Sequence, residues 1–173
     1  MKKFFYLVVL AIVAIACDNT VKVPLDNTGL SVISEKGSTI YGIVNSQDEL
    51  ILPMMYKNIE LDPAQRLLVV TDEDDFKFLY DFMGNSLFSA EKLEKRGQVW
   101  LGQTDKKMSM YDPSKKLTTE YYDNIVVGLN QILVTNESLH AVLDRNAQEL
   151  IPWTEGEIFV VNDANDYYYA VQD

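Results

Sequence analysis

RLLVVTDEDDFKFLYD, residues 66–81, reads as an apolar run, a polar turn, and a second apolar run that closes on an aspartate. Both runs favour Leu, Val, Phe and Tyr, which suit a pleated, half-buried surface, and the acidic interruption has the length of a hairpin tip. The pattern returns downstream in GQVWLGQTDKKMSMYD (97–112), NQILVTNESLHAVLD (130–144) and EIFVVNDANDYYYAVQD (157–173), and upstream in a less regular copy, GLSVISEKGSTIYGIVN (29–45). The closing residues Asn45, Asp81, Asp112, Asp144 and Asp173 recur every 29 to 36 residues. A single hairpin is marginal in water, so units of this kind must stack and share their apolar faces.

Each closing residue except the last opens a second turn: SQDE after Asn45, FMGN after Asp81, PSKK after Asp112 and RNAQ after Asp144. An Asx side chain at the first turn position is expected to accept hydrogen bonds from backbone amides two or three residues on, while Gly84, Asn85, Pro113 and Asn146 suit turn dihedrals. No stretch after residue 18 sustains a long helical period, although SAEKLEKRG (Ser89 to Gly97) is compatible with one helical turn. The expected fold is all-β: antiparallel β-hairpin repeats forming a curved meander, propeller-like or open.

The beginning of the chain has a different character. Lys2 and Lys3 precede an apolar run from Phe4 to Ala16 that ends in Ala14, Ile15 and Ala16, the three-part layout of a secretory signal. The run falls short of the roughly 20 helical residues that span a bilayer core. Cys17, the one cysteine, follows directly. AIAC resembles the lipobox of bacterial lipoproteins, which implies cleavage before Cys17 and acylation of both its thiol and the new amino terminus. Three acyl chains, at about 0.8 kcal/mol per buried methylene, make a firm membrane anchor. The expected organisation is a signal peptide over 1–16, the lipidated Cys17 and a tether over 17–27, and the repeat domain over 28–173. Asp18 resembles an inner-membrane retention signal of enteric bacteria, whereas early acidic residues accompany surface export in other groups. The expected location is the bacterial cell envelope, at the outer membrane or cell surface.

The 173 residues carry a formal charge of −11, which becomes −13 once Lys2 and Lys3 leave with the signal. That balance excludes nucleic acid as a partner, because phosphate binding needs clustered Lys and Arg. Acidic clusters such as TDEDD (71–75) and NDAND (162–166) sit among frequent apolar residues and read as a solvated folded surface.

YGIVNSQDELILPMMYKNI (Tyr41 to Ile59) resembles a WG-type β repeat, whose units run aromatic, Gly, two apolar residues, Asp or Asn, a four-residue turn, apolar residues, Pro, and a Tyr before a short apolar close. Tyr41 stands in the place of the family Trp, with Gly42, Asn45, Pro53 and Tyr56 at the Gly, Asp, Pro and Tyr positions. In later units the aromatic position holds Lys77, Met108, His140 and Tyr169, and the Gly position holds Phe78, Ser109, Ala141 and Ala170. Pro152 repeats Pro53, and Tyr122 with Ile125 repeats Tyr56 with Ile59. The resemblance implies an exported or surface protein and no shared catalytic activity.

His140 is the one histidine, and its nearest hydroxyl in sequence, Ser138, lies across a turn. It occupies a repeat position and reads as packing rather than as part of a triad. One His and a lipidated Cys cannot assemble a zinc site. Asp72 to Asp75, and Asp163, Asn165 and Asp166, lack the twelve-residue calcium loop. No catalytic residue, metal or cofactor is therefore assigned. Adjacent aromatics point to opposite faces of a strand, so outward rings are candidate contacts with a protein or glycan partner: Tyr122, Trp153, Tyr167 and Tyr169. NES (Asn136 to Ser138) matches a glycosylation acceptor that carries little meaning in a bacterial lipoprotein. The sequence thus points to a lipid-anchored, non-enzymatic binding module. The alternatives are a carboxylate-based hydrolase of envelope polymers and an immunity or inhibitor lipoprotein.

Overall fold

The structure is a computed structural model that describes the backbone of residues 19–162 and 167–170 and the side chains of residues 19–158. It is all-β, a run of separate antiparallel sheets that each take their strands in sequence order. The first sheet comprises β1 (Thr20–Pro24), β2 (Ser31–Glu35), β3 (Tyr41–Val44) and β4 (Leu50–Tyr56). The second comprises β5 (Asn58–Asp62), β6 (Leu67–Thr71), β7 (Lys77–Asp81) and β8 (Ser86–Ala90). β9 (Lys92–Arg96), β10 (Val99–Thr104), β11 (Lys107–Asp112) and the short β12 (Leu117–Thr118) make the third. The fourth contains β13 (Asn124–Val127), β14 (Gln131–Asn136), β15 (Leu139–Asp144) and β16 (Glu149–Thr154). A last pair, β17 (Ile158–Asn162) and β18 (Tyr167–Ala170), follows. The sheets follow one another like successive propeller-like blades, and among the described residues they do not close into a ring.

Neighbouring sheets bury their faces in three seams. Ile43, Leu52 and Tyr56 of the first sheet meet Leu68 and Val70 of the second. Leu67, Leu79 and Phe88 on the other face of the second sheet meet Trp100 and Tyr111 of the third. Val99, Leu101 and Met110 then meet Ile132, Val134 and Leu143 of the fourth. Because side chains alternate along a strand, the adjacent pairs Leu67 with Leu68 and Trp100 with Leu101 serve opposite seams. This explains the uninterrupted apolar runs of β6 and β10: both of their faces are covered. Ile43, Leu68, Leu79, Met110 and Ile132 are among the largest side chains withdrawn entirely from solvent, each contributing about 1.5–3 kcal/mol of burial.

Close approach across the second seam requires Gly102. A Cβ there would lie 2.7 Å from the Phe88 ring and 2.9 Å from the Ala90 Cβ. Gly84 is needed for two reasons: its φ is +83°, and a Cβ would sit 2.7 Å from the Ile51 carbonyl oxygen of the neighbouring sheet.

The second turns follow one scheme. Asn45 Oδ1 accepts from the amides of Gln47 and Glu49, Asp81 Oδ1 from Met83 and Asn85, and Asp144 Oδ1 from Asn146 and Gln148, all at 2.7–2.9 Å. The amides are two and four residues on, not two or three, because the third turn residue swings into the left-handed region: φ is +63° at Asp48, +83° at Gly84 and +59° at Ala147. Asp72 at the tip of the 66–81 hairpin repeats the scheme with Asp74 and Phe76, at 3.0 and 2.9 Å.

Two expectations require correction. Thr20–Pro24, read as tether, is the outer strand β1, paired along its whole length with β2, so the folded unit begins before residue 28. The alternating valines Val21 and Val23 sit on the sheet at a half-exposed edge, with the Asn19 carbonyl accepting from Lys36 at 2.7 Å. Ser89–Gly97 forms no helical turn: it ends β8 and contains β9. Pairing of Lys92–Arg96 with β10 and packing of Leu93 at the second seam override local helix propensity there. Cys17, Asp18 and the signal segment lie outside the described residues.

Candidate binding surface at the sheet seams

One end of the sheets carries the turns that join β1 to β2, β3 to β4, β5 to β6 and so on, since every strand reverses the last. Polar clamps cross from sheet to sheet at this end. In the second seam Asp62 ion-pairs with Lys95. Gln65 Nε2 donates to the Gln98 carbonyl at 2.7 Å, and Trp100 Nε1 donates to Gln65 Oε1 at 2.7 Å. The Lys95 ammonium lies 5.8 Å from the centre of the Trp100 ring. In the third seam the buried Asp112 accepts from the Ser114 amide at 3.0 Å and hydroxyl at 2.6 Å, and Arg145 lies 3.6 Å away. Lys115 Nζ donates to the Arg145 carbonyl and to Asn146 Oδ1, both at 2.8 Å.

The two clamps are built on matching turns, DPAQRL (62–67) and DPSKKL (112–117). In each, the Asp reaches a cation of the next sheet and the fourth residue a backbone carbonyl of that sheet. The fifth residue, Arg66 or Lys116, takes a positive φ of 56° or 52°. The repeated DP turn is the signal that the sequence carries for these clamps.

Among the described residues, grooves open at this end on either side of the second sheet. The larger, about 470 Å³, lies between the second and third sheets and is bordered by Arg66, Asp81, Asn85, Leu87, Tyr111 and Lys116. The smaller, about 370 Å³, lies between the first and second sheets beside Asp26, Leu61, Arg66 and Phe82. Arg66 borders both, its guanidinium 5.4 Å from the centre of the Phe82 ring.

Ionisation follows local contacts. Burial raises the Asp81 carboxyl, but hydrogen bonds from the Asn85 side chain and from the amides of Asn85, Met83 and Gly84 outweigh it and hold the pKa below the ordinary value. Asp123 is lowered by Lys107 and by the Glu137 amide. Asp144 is lowered by the Gln148 amide, against a smaller desolvation effect, with the Asn146 contacts and Lys115 adding to it. Tyr56 is raised by burial and then by its hydroxyl contact with Tyr80 at 3.1 Å. Burial likewise raises Tyr111, with the charges of Asp81 and Asp112 adding to it.

The aromatic candidates separate. Tyr122 is 8 % exposed and belongs to the third-seam core, so it is a packing residue. Its ring lies 6.1 Å from that of Trp153, which is 38 % exposed and carries the outward face of the pair. The neighbour Tyr121 is 55 % exposed, on the opposite side. Tyr167 and Tyr169 are placed on β18, opposite Asn162 and Phe159 of β17; their side chains lie outside the described residues. His140 contacts the Thr135 hydroxyl through Nδ1 at 3.0 Å across the β14–β15 pair, and Ser138 is not its partner. Asn136 Oδ1 accepts from the Asp123 amide at 3.1 Å. Among the described residues no group of three or more His, Cys, Asp or Glu is arranged to hold a metal ion.

No described protein family and no curated protein matches the chain. Among solved structures it is similar to BamB from Moraxella catarrhalis, at 13% identity and a TM-score of 0.31 over 79% of this chain and 50% of that one. It is also similar to the Neurospora crassa Pan2 WD40 domain, at 10% identity and a TM-score of 0.32 over 79% and 53%. The C-terminal WD40 domain of Sif2 aligns at 11% identity and a TM-score of 0.33 over 82% and 48%. The chain spans about half the length of these structures. The chain's own sheets define its class, an all-β repeat protein of stacked antiparallel sheets, four of them four-stranded.

Proposed function

We propose that the protein is a lipid-anchored module of the bacterial cell envelope, held by Cys17 at the outer membrane or cell surface, that binds a protein or glycan partner and catalyses nothing. The observation that carries the binding reading is how the ionisable groups are used. The Asp residues of the turns accept backbone amides, and Asp62 and Asp112 lock one sheet to the next. What remains accessible includes the grooves at the seams of one end and, toward the other end of the fourth sheet, exposed Trp153. The AIAC motif supports the anchor.

Two measurements test this reading. Intact mass of the mature chain should show loss of residues 1–16 and acylation at Cys17, and Cys17→Ser should move the protein out of the membrane fraction. An unlipidated amino terminus would refute the anchor. Cross-linking in intact envelopes should capture a discrete partner that competes with added purified protein, and turnover of envelope polymers by the purified protein would refute the non-catalytic assignment.

A further inference from the structure

We propose that the groove between the second and third sheets binds an extended peptide segment through its carboxylates, which Arg66 and Lys116 grip from the two matching DP turns. The inference rests on the binding-module reading and gives it a site and a ligand chemistry.

Arg66 and Lys116 are both exposed, both border the groove, and neither has an ion-pair partner among the described residues. Lys95 in the same seam, and Lys107 and Arg145 between the third and fourth sheets, are all paired with aspartates. In a chain of net charge −11, two unpaired cations on one groove form a local positive feature against an acidic background. Asp81 shares the groove and stays ionised, but its oxygens are held by the Asn85 side chain and by the amides of Met83 and Asn85 and it ion-pairs with neither cation, so the lining sets two positive charges against one negative. Arg66 rests against the Phe82 ring, and a guanidinium stacked on a ring keeps its in-plane N–H edge for bidentate contact with a carboxylate.

The remaining lining favours peptide over sugar. Tyr111, the aromatic residue of the groove, is 4 % exposed and stacks on Phe88 at 5.7 Å, so it offers no open ring face for a pyranose. Leu87 and Pro113 supply apolar wall, and Ser86 and Thr118 supply exposed hydroxyls that can meet peptide N–H and C=O groups. The volume of about 470 Å³ falls within the roughly 300–1,000 Å³ usual for small-ligand sites.

The test is calorimetric titration of the full chain in detergent with blocked Leu-Glu-Leu-Glu, its Gln counterpart Leu-Gln-Leu-Gln, and tri-galacturonate. Arg66→Gly and Lys116→Gly remove the cations at positions whose backbone already takes a positive φ, where glycine is at no steric disadvantage. Thermal melting should therefore show both variants folded. The Glu peptide should bind, the Gln peptide should bind at least about tenfold more weakly, and the double variant should lose about tenfold or more, as expected for charge-assisted contacts. Equal binding of both peptides, unchanged affinity in a folded double variant, binding of tri-galacturonate in place of the peptide, or no binding at all would overturn the proposal. Loss of this site would leave the envelope cross-linking result standing, so failure of the site and failure of the binding-module reading are separable.

Discussion

Asp112→Ala and Asp144→Ala remove the same residue type at repeat-equivalent positions, and the structure predicts very different costs. Asp112 is 2 % exposed, accepts from the Ser114 amide and hydroxyl, and faces Arg145 at 3.6 Å across the third seam. Its loss leaves Arg145, whose side chain is 21 % exposed, short of its counter-charge. Breaking a buried pair in this way costs about 3–5 kcal/mol. The lower end, about 3 kcal/mol, applies here because the pair is long and Arg145 keeps its bond to the Gly128 carbonyl at 3.3 Å. Asp144 makes two amide contacts at the solvent edge, comparable to a helix cap whose removal costs about 1 kcal/mol. Urea denaturation of both variants, with slopes equal to that of the parent, should give a gap of about 2 kcal/mol. Equal costs would show that Asp112 is merely another turn residue and that the sheets are not locked at the third seam.

Other perturbations probe different parts of the structure. Gly102→Ala should destabilise by about 1–3 kcal/mol through overpacking, since Phe88 is held against Tyr111 and cannot yield freely. Gly97→Ala, with no atom within 4 Å of the added Cβ but a φ of +59°, should cost only the left-handed strain of about 1–2 kcal/mol; a chevron or urea curve for each distinguishes the two. The lowered pKa values of Asp81, Asp123 and Asp144 mean that the unfolded chain binds protons first on acidification. Their stabilisation is complete above the unfolded carboxylate range near pH ~4 and is lost as pH falls through the lower folded values. The urea midpoint should therefore fall as the pH drops below about 4, and Asp81→Asn should flatten part of that fall.

Much of the architecture is legible in the residues themselves. The hairpins of 66–81, 97–112 and 130–144 are β6–β7, β10–β11 and β14–β15, the middle strands of their sheets. They could be read because each packs at least one face into a seam, and β6 and β10 pack both, which makes their apolar runs continuous. Outer strands were harder: Lys92–Arg96 and Thr20–Pro24 bury little, so their sequences carry scant periodic signal and the neighbouring strand dictates their conformation. The repeat frame also hid a boundary. The short apolar close after Tyr56 and Tyr122, with Ile59 and Ile125, is the first strand of the next sheet, β5 or β13, rather than the end of its own unit. Tyr122 illustrates the limit for sites: neighbouring tyrosines announce opposite faces, but only the packing of the third seam decides that Tyr121 is outward and Tyr122 inward.

Hydrogen exchange, resolved residue by residue, tests most directly whether stacked sheets hold this chain together. Amides in the middle strands β2, β3, β6, β7, β10, β11, β14 and β15 should be the slowest, with Ile43, Leu68, Leu79, Met110 and Ile132 at buried positions in the first through fourth sheets, while β1 and β9 exchange early. Slow exchange confined to a single sheet, or protection as strong in β9 as in β10, would contradict it.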